Sequence, residues 1–191
     1  MTMSQSGYKV MPRARVERGR LVLRAVAPQD IECIRQWRNA QMDVLRQSLF
    51  ISPEEQERYF AAHVWPEMGS STPKQILLSL ETDGEMIGYG GLVNISWIDQ
   101  RGEVSFLLNP AIERDLNQRS QIFLTFLETL KEIAFNDLQL CRIWTETYAT
   151  REFHIKTLEA AGFQNEGCLR NHSIINGDQT NSIVHGLIRE N

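Results

Sequence analysis

The sequence predicts a mixed α/β domain, a central twisted sheet of about seven strands with helices on both faces. Three observations carry this. β-rich and helix-period runs alternate in the order β-α-α-β-β-β-α-β-α-β-β; strands flank the longest helix as in a parallel crossover; and no linker, repeat or low-complexity stretch interrupts the chain from Arg20 onward. With 191 residues, 42% of them hydrophobic, the chain builds one core without a disulfide or metal staple.

Leu21–Val26 reads as the first strand, and Pro28 opens a helix in which Ile31, Ile34 and Trp37 recur at helical spacing, ending near Arg38-Asn39. Ser52-Pro53-Glu54-Glu55 starts a second helix, with Ser52 and Glu55 spaced as a capping box and Pro53 at the first helical position. Lys74–Glu81 and Glu85–Ile95 form a hairpin about Asp83-Gly84, a dipeptide suited to two successive positive φ angles. Within the second run, the glycines of Gly88-Tyr89-Gly90-Gly91 indicate a bulge or close backbone approach. Gly102–Leu108 follows as a strand and stops at Asn109-Pro110. Between Leu116 and Phe135 the positions Phe123, Phe126, Leu127, Leu130 and Ala134 form the stripe of the longest helix. Cys141–Tyr148 is again a strand. Thr150 is placed to cap a helix carrying Phe153, Thr157, Leu158 and Ala161 and closed by Gly162. Two last strands flank the turn dipeptide Asn176-Gly177.

Net charge is −4, unevenly spread: residues 1–24 hold Lys9, Arg13, Arg15, Arg18, Arg20 and Arg24 against Glu17 alone. Residues 1–19 therefore read as a loose basic arm, either solvated or touching a phosphate-bearing ligand, ahead of a domain over 20–191. The acidic remainder argues against a nucleic-acid partner. No apolar run reaches the roughly 18 residues that span a bilayer, and Met1–Gly19 lacks the apolar middle of a secretory signal, so the expectation is a cytoplasmic protein without membrane association. Cys33, Cys141 and Cys168 are odd in number and widely spaced, and read as reduced core thiols.

The sequence contains no phosphate loop ending in Gly-Lys-Ser/Thr, no Gly-x-Ser-x-Gly elbow and no histidine pair at metal-ligand spacing, so no metal is expected and a nicotinamide enzyme is disfavoured. The segments Arg20–Arg35, Gln36-Trp37-Arg38-Asn39, Glu103 through Asn109-Pro110, Ala134-Phe135, and Ala161-Gly162-Phe163 through Glu166-Gly167-Cys168-Leu169-Arg170 together resemble the GNAT family of acyl-CoA N-acyltransferases, in the branch of ribosomal-protein and nucleotide-sugar N-acetyltransferases. The Trp-Arg-Asn element, with Phe50-Ile51-Ser52 and Ala61–Trp65, is most similar to acetyltransferases of the pseudaminic-acid pathway, which acetylate the 4-amino group of a UDP-linked dideoxy sugar.

The resemblance implies acetyl-CoA as cosubstrate and a small-molecule amine as acceptor, in a monomer or homodimer. It implies that Gly102–Leu108 and Cys141–Tyr148 are parallel strands that splay apart, with the main chain of Phe106, Leu107 and Leu108 pairing with pantetheine and one of their N–H groups stabilising an oxyanion. The family's pyrophosphate loop falls on Gln118-Arg119-Ser120-Gln121-Ile122-Phe123, where Gln118 matches but Gln121 and Phe123 replace both glycine positions; Phe123 is equally a core residue. Arg114 and Arg119 can hold phosphates by charge. In the last helix Arg151 and Leu158 replace the family's Asn and proton-donating Tyr. His154, one turn before Leu158 on the same helix face, is the candidate proton donor, a structural histidine being the alternative, and Tyr148 the second candidate. Glu103 is the candidate base or half of an ion pair; alternation gives it, Ser105 and Leu107 one face of their strand. Trp37, Arg38, Asn39, Asn94 and Trp97 flank the acceptor side, where an aromatic and an arginine suit a nucleotide sugar. A peptide amine as acceptor and a non-catalytic binding module remain the alternatives.

Overall fold

The computed structural model describes residues 7–45, 47–175 and 177–190. Eight strands form one sheet: β1 (Arg15–Arg18), β2 (Leu21–Ala25), β3 (Ile76–Thr82), β4 (Glu85–Ser96), β5 (Arg101–Leu108), β6 (Arg142–Tyr148), β7 (Gln164–Ile175) and β8 (Asp178–Ile188), in the order β1-β2-β3-β4-β5-β6-β8-β7. Every pairing is antiparallel except β5 with β6. The helices are α1 (Ile31–Ala40), α2 (Pro53–Tyr59), α3 (Trp65–Gly69), α4 (Pro110–Glu113), α5 (Leu116–Glu132) and α6 (Glu152–Ala160). Among the described residues no helix is long and apolar enough to cross a membrane.

Local chemistry accounts for the boundaries. Ser52 Oγ accepts from Glu55 N while Glu55 Oε2 accepts from Ser52 N, closing the expected box at the start of α2. Asp83 and Gly84 both take positive φ, 55° and 82°, and turn β3 into β4. Gly88 and Gly90 have the close backbone approach that their place in a strand indicates: a Cβ on Gly90 would lie 3.0 Å from the Phe126 ring and one on Gly88 2.7 Å from Leu107 O, so bare backbone here lets α5 lie flat on the sheet. The turn between β7 and β8 contains Gly177 at φ 91°; Asn176 lies outside the described residues.

Three expectations are corrected. The segment before Arg20 is no loose arm from Tyr8 onward: Tyr8 is 3% exposed with its hydroxyl accepting from Leu77 N, Met11 and Val16 are buried, and Arg15–Arg18 is an eighth, edge strand on β2. Its arginines meet this chain's own carboxylates, Arg13 on Glu132 at 2.6 Å and on Asp137 at 2.7 Å, Arg15 on Glu81 at 3.3 Å. Cys33 and Cys168 are exposed and Cys141 half-buried, all free thiols but none in the core, because Cys33 faces away from the Ile34 and Trp37 stripe and β7 lies along an exposed edge. Thr150 does not cap α6; Arg151 is the cap residue and its N–H bonds Tyr148 O, so the backbone turn closes one residue later.

β2 is tied to the start of α1 by a buried cluster. Asp30 accepts from Arg24 at 2.6 and 2.9 Å, from Ser79 Oγ at 2.6 Å and from Ala27 N at 2.8 Å, and these bonds hold its carboxyl below the usual range despite burial. α5 and α6 cover one face of the sheet, and α1 and α2 the other.

Candidate active site at the splayed strand pair

β5 and β6 pair over three positions only, Arg101 with Arg142, Gly102 with Ile143 and Glu103 with Trp144, and part beyond them. The splay that the family resemblance implies is therefore present, with Glu103 at its vertex and the main chain of Phe106, Leu107 and Leu108 along its opening. One partner there was not legible in the sequence. Gln41, at the end of α1 and buried, donates from Nε2 to Leu108 O at 2.8 Å and to Trp37 O at 3.3 Å, which fixes its amide and leaves Oε1 buried without a donor among the described residues. No motif marks a lone glutamine after a helix, so nothing in its neighbourhood singles it out.

On the α5 and α6 face the opening is filled. Phe106 lies 4.4 Å from Phe123 and 4.9 Å from Phe126, centroid to centroid, and Phe123 stacks on His154 of α6 at 4.0 Å with the rings 17° apart. Phe123 is 2% and His154 8% exposed. Desolvation, together with Arg151, Arg119 and His185, pushes the His154 pKa well below its ordinary 6.5. The imidazole is consequently neutral at neutral pH and does not carry the extra proton that a general acid gives up.

The family resemblance places a phosphate-binding loop at Gln118–Phe123, but the structure has regular helix there. Asp115 caps α5 by accepting from Asn117 N and Gln118 N at 3.0 Å each, and Arg119 N already bonds Asp115 O, so the amides that the loop would free are engaged. With Gln121 and Phe123 in place of glycine, nothing favours leaving the helix. Arg119 is half-buried and bonds Glu113 at 3.1 Å; Arg151 bonds the same carboxylate at 3.3 Å, lining a cleft of about 280 Å³ between the starts of α5 and α6. Arg114 and Gln118 are exposed beside it and Ser120 is half-buried. The β5 edge thus runs past the three paired positions without a β6 partner, whereas the start of α5 presents arginine side chains and no bare amides.

The α1 and α2 face is open. Ser105 and Tyr89 line a cavity of about 330 Å³ with Arg38, Gln56, Tyr59 and Phe60. Arg38 donates to Tyr89 Oη at 2.9 Å and to Gln47 Oε1 at 3.1 Å. Glu103 shares the Ser105 face and accepts from Asn94 Nδ2 at 2.7 Å, Asn94 being held at φ 50° in the irregular end of β4. Of the other predicted acceptor residues, Trp37 packs in the core, Asn39 bonds the main chain of Ile51 and so fixes the loop after α1, and Trp97 donates to Pro73 O away from the cavity. Tyr148 ends β6, buried, at an open cleft of about 500 Å³ that also includes His172, and His172 lies 3.6 Å from Glu146.

Comparison with known proteins accords with this architecture. Residues 23–184 match the model of a family described as acetyltransferase (GNAT) domain. No curated protein matches. Among solved structures, spermidine N-acetyltransferase from Vibrio cholerae in complex with CoA and spermine is similar at 20% identity and a TM-score of 0.76, over 90% of this chain and 96% of that one. The dodecameric structure of the same enzyme in an intermediate state is similar at 19% identity and a TM-score of 0.75, over 90% and 95%. The family match over most of the chain, and the parallel pair that parts at Glu103, establish that this chain belongs to the GNAT acetyltransferases, acyl-CoA-dependent enzymes that use acetyl-CoA to acetylate an amine.

Proposed function

We propose that the chain transfers an acetyl group from acetyl-CoA to the primary amine of a small anionic molecule of the amino sugar-nucleotide class, by direct attack in a ternary complex. The observation that carries this reading is the arginine inside the cavity on the open face. Arg38 is held there by Tyr89 and Gln47. The one carboxylate among the described lining residues, Glu55, already accepts from Ser52 N. A polyamine brings several positive charges and would meet this guanidinium unfavourably, whereas a phosphate or sugar carboxylate gains a charge-assisted, bidentate partner. At about 330 Å³ the cavity is at the small end of ligand pockets, a size for a sugar ring with its nucleotide reaching outward.

Acetyl-CoA supplies the activated thioester. Glu103, oriented by Asn94, takes the proton of the attacking amine. A main-chain N–H of the Phe106–Leu108 edge faces the developing oxyanion, and Tyr148 is the proton donor to the departing thiolate in place of the neutral His154. Arg114, Arg119 and Ser120, with Gln118 at the rim, hold the phosphate end.

The test is release of free CoA thiol with a panel of UDP-linked amino sugars, polyamines and peptides with free N-termini. Turnover with the amino sugars and little with polyamines is expected. Turnover of polyamines or peptides without the sugars overturns the acceptor assignment.

A further inference from the structure

We propose that Phe123 and His154 form a gate across the acyl-donor cleft, so that these two residues set how tightly the donor binds. This rests on the reading that acetyl-CoA enters between β5 and β6. The floor of that cleft is the gap past Glu103 and Trp144, and its walls are α5 and α6. Each wall contributes one ring. At 4.0 Å and nearly parallel, the Phe123 and His154 rings are in van der Waals contact, and a pantetheine chain does not pass between them without separating them. Phe106, whose main chain belongs to the donor edge, packs under the same pair at 4.4 and 6.4 Å.

The polar groups on the donor's path are likewise satisfied by the chain itself. Glu113 holds Arg119 and Arg151 at the mouth, Asp115 covers the first amides of α5, and Gln41 occupies Leu108 O. Two features make this a gate and not permanent filling. α6 is only nine residues long and starts without a side-chain cap, so His154 sits on the most easily moved part of its wall. The closed arrangement also leaves Gln41 Oε1 buried without a donor among the described residues, a cost that an incoming amide N–H removes. Donor affinity is then reduced by the fraction of time the gate is open.

Weakening the stack must therefore raise affinity, the opposite of what loss of a binding residue does. Calorimetric titration of free CoA into the wild type, His154→Ala and His154→Phe separates these. Roughly three- to tenfold tighter binding is expected for His154→Ala, the factor by which losing an aromatic pair shifts such an equilibrium. His154→Phe, which rebuilds the pair, is expected to stay with the wild type. Phe123→Leu, on the opposite wall, repeats the test should His154→Ala fold poorly. CoA binding that is unchanged or weaker in the opened variants overturns the gate and leaves the donor reading intact. Absence of CoA binding in all four proteins overturns both.

Discussion

The two faces of β5 differ in what their neighbours send toward them. Val104, Phe106 and Leu108 point to α5, which fills the space with Phe123 and Phe126, and the rim beyond is closed by ion pairs. Glu103, Ser105 and Leu107 point to α1 and α2, where the long connection between the helices leaves a cavity with a guanidinium in it. A single alternating strand thus serves a packed side and an open side. In this molecule ring volume contributed from the helices decides which side is filled and which keeps a cavity.

The largest expected effect is on the packed face. Phe126→Ala should cost about 3 to 5 kcal/mol of stability, since that ring is fully buried, whereas Tyr59→Ala, 46% exposed at the cavity, should cost less than about 1 kcal/mol; urea denaturation of the two variants checks the contrast. Next, Glu103→Gln should lower kcat roughly 10²- to 10⁴-fold and leave stability within about 0.5 kcal/mol. An unchanged pH–rate profile in that variant would instead assign Glu103 to its hydrogen bond with Asn94. Arg38→Gln should raise the acceptor KM about tenfold with little change in kcat, the signature of a binding contact to a charged group; initial-rate kinetics with saturating acetyl-CoA measure it. The smallest effect concerns pH. Above His154's ordinary value of 6.5 it is neutral in both folded and unfolded chains; as the pH falls through that value only the unfolded chain takes up the proton, so stability is lost toward acid. Thermal unfolding between pH 7 and 5 should show a shallower loss in His154→Phe, by at most about 1.4 kcal/mol per pH unit.

What the sequence discloses and what it hides divide along the range of the interactions. The capping box at Ser52, the Asp83-Gly84 turn, the stripe of α5 and the crossover into β6 are local or periodic, and each was readable. β1 was not, because Arg15-Val16-Glu17-Arg18 shows one apolar residue among charges, and the groups that hold those arginines, Glu81 and Glu132, stand far away in the chain. His154 shares a buried face with Leu158, as helical spacing indicates, but its neighbour Phe123 comes from another helix, and burial, with Arg151, Arg119 and His185 nearby, turns a candidate acid into a neutral ring. Gln41 is tied to the site by the carbonyl of Leu108, 67 residues later.

Backbone amide hydrogen exchange with and without saturating CoA tests whether one face is closed until a donor opens it while the other is ready for an acceptor. Altered exchange is expected in Phe106–Leu108 and in the segments 115–125 and 151–158, with α2 unchanged. Changes confined to α1 and α2, or none anywhere at saturation, would contradict it.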